Sequence, residues 1–229
     1  MNWELIIKWL PRITEGAWLT LELVGIAVIA GLLLALPLGI ARSSRQWWLR
    51  ALPYGYIFFF RGTPLLVQLF LVYYGLAQFE AVRQGPLWPY LRDPYWCAII
   101  TLTLHTAAYI AEILRGAIQA IPPGEIEAAR ALGMSRAKAL LYIILPRAAR
   151  IGLPAYSNEV ILMLKASALA STITLLELTG MSRTIIARTY QPVEIFFAAG
   201  VFYLVAAYVL VQGFRVLERY LRVDACQGR

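Results

Sequence analysis

Four ionisable side chains lie inside otherwise apolar stretches of this sequence, and their types point to ligand binding or ion pairing. They are Arg61, His105, Glu159 and Lys165. A charge at the centre of a membrane-spanning helix costs about 2.5–3.5 kcal/mol on insertion scales, so it needs a partner or a wet cavity. A carboxylate such as Glu159 can pair with a cationic ligand or with a cation of the protein itself. Both interpretations are open at this point.

Other kinds of chemistry lack the residues that they need. The sequence has no HExxH and no GxSxG motif, and its single histidine excludes a site made of several histidines. Cys97 and Cys226 are far apart, so no disulfide framework is predicted. No lysine follows a glycine, as a phosphate-binding loop requires; the lysines are Lys8, Lys138 and Lys165. We therefore predict no enzyme activity and no cofactor or metal in this chain.

The elements that carry these residues are predicted to be membrane-spanning helices. Of 229 residues, 60% are hydrophobic and 15% are charged, whereas soluble domains carry about 25% charged residues. We predict a single all-α integral membrane domain over residues 1–229. Its five spans cover residues 17–41, 51–79, 94–113, 152–176 and 195–217. Because the stretch 152–176 contains Glu159 and Lys165, a four-span chain with this stretch re-entrant is the alternative.

The basic residues predict the orientation of the spans. Cytoplasmic segments of membrane proteins are enriched in lysine and arginine. Six basic residues lie on the side that contains the N-terminus, and the opposite side holds Arg42, Arg45, Arg50, Arg115, Arg130, Arg136, Lys138, Arg147, Arg150, Arg215, Arg219, Arg222 and Arg229. We therefore predict an outer N-terminus and a cytoplasmic C-terminus. This asymmetry accounts for the net charge of +8 without nucleic-acid binding.

The predicted cytoplasmic loop 122–150 has the pattern of two short helices that meet at a glycine. Pro122 and the two residues after it form a turn, and a run of good helix formers follows. Gly133 is placed to cap the end of the first helix. Ser135 can cap the start of the second, which is predicted to end at Pro146. We call residues 122–139 the elbow.

This loop resembles the EAA loop of ABC importer permeases. The shared pattern is Glu-Ala-Ala, three residues, Gly, nine residues and Ile-x-Leu-Pro, which here begins at Glu127, Ala128 and Ala129. The resemblance implies that the elbow is a coupling helix, seated on a cytoplasmic ATPase. The small side chains of Ala128 and Ala129 let another surface approach closely. Glu127 and Arg130 can make charge-assisted contacts there, and Gly133 bends the chain. A solvated amphipathic loop without a partner is the alternative.

Further segments resemble the M-type permeases of histidine/lysine/arginine/ornithine importers. They are FRGTPLLVQ from Phe60, PAYSNEVILMLKASALAST from Pro154 and TYQP from Thr189. The resemblance implies the type I ABC importer permease fold and a bacterial inner-membrane location. It also implies a second, homologous permease subunit, two ATP-binding subunits that hold ATP and Mg²⁺, and a periplasmic solute-binding protein. The implied substrate is a polar, cationic amino acid.

We predict a substrate path formed by Glu159, Asn158, Thr63, Arg61, Ser167 and His105. For Glu159 the alternative is a permanent ion pair with Arg61 or Lys165. Asn158 can bind the backbone groups of an amino acid or form a hydrogen bond between helices. Gly62, Thr63 and Pro64 are predicted to interrupt the second span, because a proline frees a backbone carbonyl, and such breaks are tolerated where the backbone lines a cavity. For this break the alternative is a simple packing kink. For Ser167 the alternative is helix packing, and for His105 it is a structural place in the bundle.

One other class of function remains open at this point. An ion-coupled secondary carrier would also explain Glu159 and Lys165, but it gives no reason for the elbow.

Overall fold

The computed structural model describes residues 3–44 and 46–221, and within these ranges it is helical without any strand. Among these described residues, three long helices are apolar enough to cross a membrane, and the count rises to five if each of two bent helix pairs is one span. Arg45, Arg222, Arg229 and Cys226 lie outside the described residues.

The three long helices extend beyond the predicted spans. They are α1 (Trp3–Arg42), α6 (Pro94–Gln119) and α11 (Pro192–Leu221). With a rise of 1.5 Å per residue, the 40 residues of α1 reach about 60 Å, twice the thickness of a bilayer's hydrocarbon core. Helix bounds do not locate the bilayer, so the predicted limits of the spans stay a prediction.

The second predicted span is a sharply bent pair of helices. Helix α2 (Trp47–Gly62) is followed by α3 (Leu65–Phe70), which continues as a π turn and a 3₁₀ turn to Gln78, and the two halves meet at 105°. A proline disfavours the helical conformation in the residue before it. Thr63, before Pro64, is accordingly extended with φ −115° and ψ 143°. The second span is thus interrupted at Gly62, Thr63 and Pro64, as the sequence predicts.

The elbow has the two predicted short helices. Helix α7 (Pro123–Ala131) ends before Gly133, which adopts a positive φ of 74°. Helix α8 (Arg136–Ala139) begins after Ser135, whose hydroxyl accepts a hydrogen bond from the backbone N–H of Lys138 at 3.4 Å. Both predicted caps are confirmed.

The prediction that the second helix ends at Pro146 is wrong. A π turn over Leu140–Ile144 joins α8 to α9 (Leu145–Ala166), which ends in a 3₁₀ turn, Ser167–Ile173. Proline normally clashes with the carbonyl four residues earlier and leaves it without a donor. The wider π turn changes this hydrogen-bonding pattern, and Pro146 lies in the first turn of α9, where a missing N–H is tolerated. Helix α8 of the elbow and α9 thus form one helical path from Arg136 to Ile173.

The second bent pair is built around a buried acid. The path from Arg136 to Ile173 meets α10 (Leu178–Thr189) at 50°. Glu177, between them, is fully buried and accepts hydrogen bonds from the backbone N–H groups of Thr179 at 2.8 Å and Gly180 at 2.9 Å. The Tyr203 hydroxyl of α11 donates to the same carboxylate at 3.1 Å. Two short helices, α4 (Glu80–Arg83) and α5 (Trp88–Leu91), precede α6.

Helix α1 packs on α6 through small residues. Gly31, Ala35 and Gly39 recur at every fourth position of α1, and all three are buried. A Cβ atom at Gly39 would lie 2.9 Å from the Ala111 carbonyl oxygen, and one at Gly31 would lie 2.4 Å from a methyl carbon of Thr106. Small residues at this spacing let helix backbones approach closely in membranes.

We predict that Gly39→Leu destabilises the protein by about 1–3 kcal/mol, the usual cost of overpacking. The leucine would force α1 away from the Ala111 carbonyl. The measurement is the midpoint of thermal unfolding in detergent. Gly25→Leu is the control, since a Cβ atom there meets nothing within 4 Å. Equal midpoints for the two variants would contradict close packing of α1 on α6.

Candidate functional site

A glutamine side chain donates hydrogen bonds to backbone groups at the break between α2 and α3. The Gln68 side-chain N–H groups donate to the carbonyl oxygens of Phe60 at 2.9 Å and Thr63 at 3.0 Å, and the Thr63 hydroxyl lies 2.8 Å away. Gln68 is buried. The break frees backbone carbonyls that hydrocarbon cannot satisfy, and Gln68 supplies their donors.

The same glutamine links the break to α6. The Gln68 side-chain oxygen lies 2.9 Å from Nδ1 of His105. The His105 ring in turn packs against Tyr109 one turn later, with 4.9 Å between ring centroids. His105 therefore has a structural partner, and it lies where the broken helix meets α6.

Arg61 lies over the same region and is partly open to its surroundings. Its guanidinium carbon is 5.2 Å from the centroid of the Tyr109 ring, and its Nη1 is 4.0 Å from a Glu112 carboxylate oxygen. Glu112 also pairs with Arg115. Because 43% of the Arg61 side chain is exposed, its free N–H groups can bind a carboxylate ligand.

Glu159 lies between α9 and α6 and is 6% exposed. Its carboxylate accepts a hydrogen bond from the Thr106 hydroxyl at 3.2 Å. Within residues 3–44 and 46–221 it forms no direct ion pair, so the predicted alternative of a permanent pair with Arg61 or Lys165 is absent from this structure. The charge of Arg61 attracts the carboxylate from a longer distance. With one hydroxyl partner, the Glu159 carboxylate keeps acceptor capacity that a cationic ligand can use.

Asn158 and Ser167 of the predicted substrate path differ in burial, although both lie on the continuous helical path from Arg136 to Ile173. Asn158 and Lys165, seven residues apart, are exposed on α9 together with Leu162. Glu159 points elsewhere because neighbouring residues of a helix are about 100° apart. Ser167 is fully buried, and its hydroxyl donates to the Leu164 carbonyl at 2.8 Å. Ser167 thus has a hydrogen-bond partner within its own helical path.

The elbow presents one exposed surface at an end of the bundle. Glu127, Ala128 and Arg130 are exposed, and Leu132 at the bend is 83% exposed. Ala129 is 2% exposed, so it packs inside the chain and is unavailable to a partner. The prediction that both alanines allow a partner's close approach is thus wrong for Ala129.

An ion pair missed by the sequence analysis attaches the elbow to α9. Arg147 Nη2 lies 3.2 Å from a Glu125 carboxylate oxygen. Beneath it, Ala117, Ile121 and Ala148 form a small apolar cluster to which Ile126 of the elbow adds. The elbow is therefore fastened to both α6 and α9.

Sequence reasoning also missed Gln68 and Thr106. Gln68 had a detectable signal, since it is a polar residue in an apolar stretch with a proline four residues before it. Thr106 had none, because its partner Glu159 is 53 positions away.

Residues 27–223 of the chain match the family described as binding-protein-dependent transport system inner membrane component. Over 216 residues the chain is 49% identical to the octopine transport system permease protein OccM of Rhizobium meliloti. The matched stretch covers 94% of this chain and 86% of OccM. Over 205 residues the chain is 46% identical to the histidine/lysine/arginine/ornithine transport system permease protein HisM of Escherichia coli. The matched stretch covers 89% of this chain and 86% of HisM.

A solved structure has a similar fold. It is the crystal structure of an amino acid ABC transporter with histidines, matched with a TM-score of 0.85 and 35% identity over 96% of this chain and 99% of that chain.

We predict that Gln68→Ala destabilises the protein by about 1–3 kcal/mol for each buried polar group left unpaired. The freed groups are the Phe60 and Thr63 carbonyls and the ring nitrogen of His105. Thermal unfolding in detergent measures the effect. Gln78→Ala is the matched control, since exposed Gln78 makes one 3.3 Å hydrogen bond to the Tyr74 carbonyl. If both variants unfold like the parent, Gln68 does not hold the break.

Proposed function

This chain belongs to the family of binding-protein-dependent transport system inner membrane components, and on that basis we propose that it forms half of the permease of an ATP-driven importer of cationic amino acids. As a family member it is a multi-pass permease of the inner membrane, which works with an ATPase and a binding protein and is itself a transport component. The observation that carries the proposal is the exposed elbow, fastened to the helix that contains Glu159.

The elbow has the chemistry of a docking element for an ATPase. Glu127 and Arg130 offer charges of both signs, and Leu132 offers an apolar tip with few contacts inside the chain. We propose that two ATP-binding subunits hold ATP and Mg²⁺, and that one of them binds this surface. Because this chain lacks a phosphate-binding loop, the motion must be generated elsewhere and received here.

Force received at the elbow has a direct route to the middle of the bundle. The Glu125–Arg147 ion pair joins α7 to the first turn of α9, and the helical path continues to Glu159 and Ser167. A displacement of α7 would therefore move the α9 face that packs on Thr106. This is a physical means of converting ATPase closure into alternating access.

The substrate site is proposed where the broken helix meets α6 and α9. Transporter sites are commonly built from discontinuous helices near the membrane midplane. We propose that the guanidinium of Arg61 binds the α-carboxylate of the substrate and that Glu159 binds its cationic side chain. The two protein charges are opposite and separated, as are those of a cationic amino acid. HisM and OccM, by their names, transport histidine, lysine, arginine, ornithine or octopine, which supports this substrate class.

The exposed face of α9 is the proposed contact with a second permease subunit. Asn158, Leu162 and Lys165 lie on it, and polar side chains on a membrane helix usually face protein or a wet cavity. We propose a homologous partner subunit across this face, with the path between the two. We further propose that the N-terminus is periplasmic and the C-terminus cytoplasmic. An ion-coupled carrier has no support from the family.

We predict that Glu159→Gln lowers ATP-dependent uptake of arginine about tenfold or more, because a charged hydrogen bond contributes about 1.5–3 kcal/mol. The measurement is uptake of labelled arginine by the reconstituted importer. Assembly should persist, since the amide oxygen still accepts from Thr106.

Two variants separate substrate binding from a structural role of Glu159. Thr106→Val removes the hydrogen bond but keeps the carboxylate, so it should lower stability more than arginine affinity. Glu80→Gln is the control for the charge change, since Glu80 is exposed in the short helix α4. Unchanged arginine transport in Glu159→Gln would discard the proposed role.

We predict that Glu127→Lys weakens the attachment of the ATPase, since it reverses one charge on the exposed elbow. Leu132→Asp should do the same by placing a charge on the apolar tip. Co-purification of the ATP-binding subunits with the permease measures the effect, and Glu80→Lys is the control. Intact co-purification and intact coupled uptake in both elbow variants would contradict the docking role.

A further inference from the structure

A cavity with two arginines lies between α9 and α11 near the elbow. Its volume is about 200 Å³. Arg147 and Arg150 of α9 and Glu218 of α11 contribute its charged groups, and the rest of its wall is apolar. Arg147 is already paired with Glu125. Arg150 is exposed and makes no hydrogen bond or ion pair with the part of the chain that the structure describes. One guanidinium at this cavity is therefore free to bind an anion.

An apolar trough adjoins this cavity. The trough has a volume of about 410 Å³ and lies between α1, α6, α9 and α11, and Leu153 is part of both walls. Tyr156 is its one polar lining side chain among the described residues, and the others include Leu32, Ile113 and Ala149. A small anion would find almost no polar partner in this trough, whereas a hydrocarbon chain can pack against its apolar side chains.

The charge around the cavity favours a negatively charged occupant. Two basic residues and one acidic residue line the cavity. Glu218 opposes the two arginines of the wall, but Arg215 precedes it by one turn on α11 and Arg219 follows it directly. The surroundings thus keep a net positive charge, which attracts anionic lipids at a membrane surface.

We propose that this cavity and trough bind one anionic phospholipid. Arg150, supported by Arg147, binds the headgroup phosphate, because a guanidinium pairs with phosphate through two parallel N–H donors. One acyl chain occupies the trough. Basic pockets between membrane helices are known sites for lipid headgroups. The lipid would lie beside the Arg147–Glu125 pair that fastens the elbow.

Lipid retention by the purified importer tests the headgroup contact. The complex is reconstituted with equal amounts of phosphatidylglycerol and phosphatidylethanolamine, extracted in detergent, and its retained lipids are counted by native mass spectrometry. We expect phosphatidylglycerol to dominate, Arg150→Gln to lower its retention several-fold, and Arg150→Lys to restore part of it. Arg219→Gln is the matched control, because it removes the same charge from a neighbouring position outside the cavity wall.

A second variant tests the acyl chain. Ala149→Trp fills the trough from an exposed position and leaves both arginines in place, so it should also lower phosphatidylglycerol retention. The proposal is overturned if Arg150→Gln and Arg219→Gln retain lipid equally, or if phosphatidylethanolamine is retained as well as phosphatidylglycerol. It is also overturned if inorganic phosphate alone displaces the lipid fully, since the site would then bind a free anion.

Discussion

A helix that breaks inside a bilayer must find partners for its freed backbone groups within the protein, since hydrocarbon offers none. Among the residues that the structure describes, two bent helix pairs have the length and composition of a span, and at each bend a buried side chain binds backbone groups. Gln68 donates to the carbonyls of Phe60 and Thr63 at the first break, and Glu177 accepts from two N–H groups at the second. Each of these side chains also reaches another helix, through His105 or Tyr203. The breaks are thus fixed joints of the bundle.

Charged and polar side chains lie around the helix break at Gln68. Arg61 ends α2 beside the break, and Tyr109, Glu112 and Thr106 lie on the face of α6 opposite. Arg61 lies 4.0 Å from Glu112, and Glu159 accepts from the Thr106 hydroxyl. Such partners offset the cost of desolvation. Glu112 has two arginine partners, whereas Glu159 has the Thr106 hydroxyl, which is why Glu159 is the carboxylate proposed to bind a cation.

Mechanical continuity is the second constraint. The π turn at Leu140–Ile144 lets the helix continue through Pro146, and Arg147 then ties α9 to the elbow. A flexible connection here would absorb displacement of the elbow before it reached Glu159. Gly31 and Gly39 let α1 pack closely on α6.

The sequence by itself determined the helical membrane class, the family resemblance, the elbow with its Gly133 and Ser135 caps, and the break at Pro64, because apolar run length, caps and proline act over a few neighbouring residues. It also marked Glu159 and Arg61, since charges in apolar runs are conspicuous. It did not determine that Ala129 and Ser167 are buried, that Pro146 is accommodated, or that Gln68, Thr106 and Arg147 are partners of distant groups. Only the tertiary structure decided these, because burial and hydrogen bonding depend on which helix faces are brought together across many intervening residues.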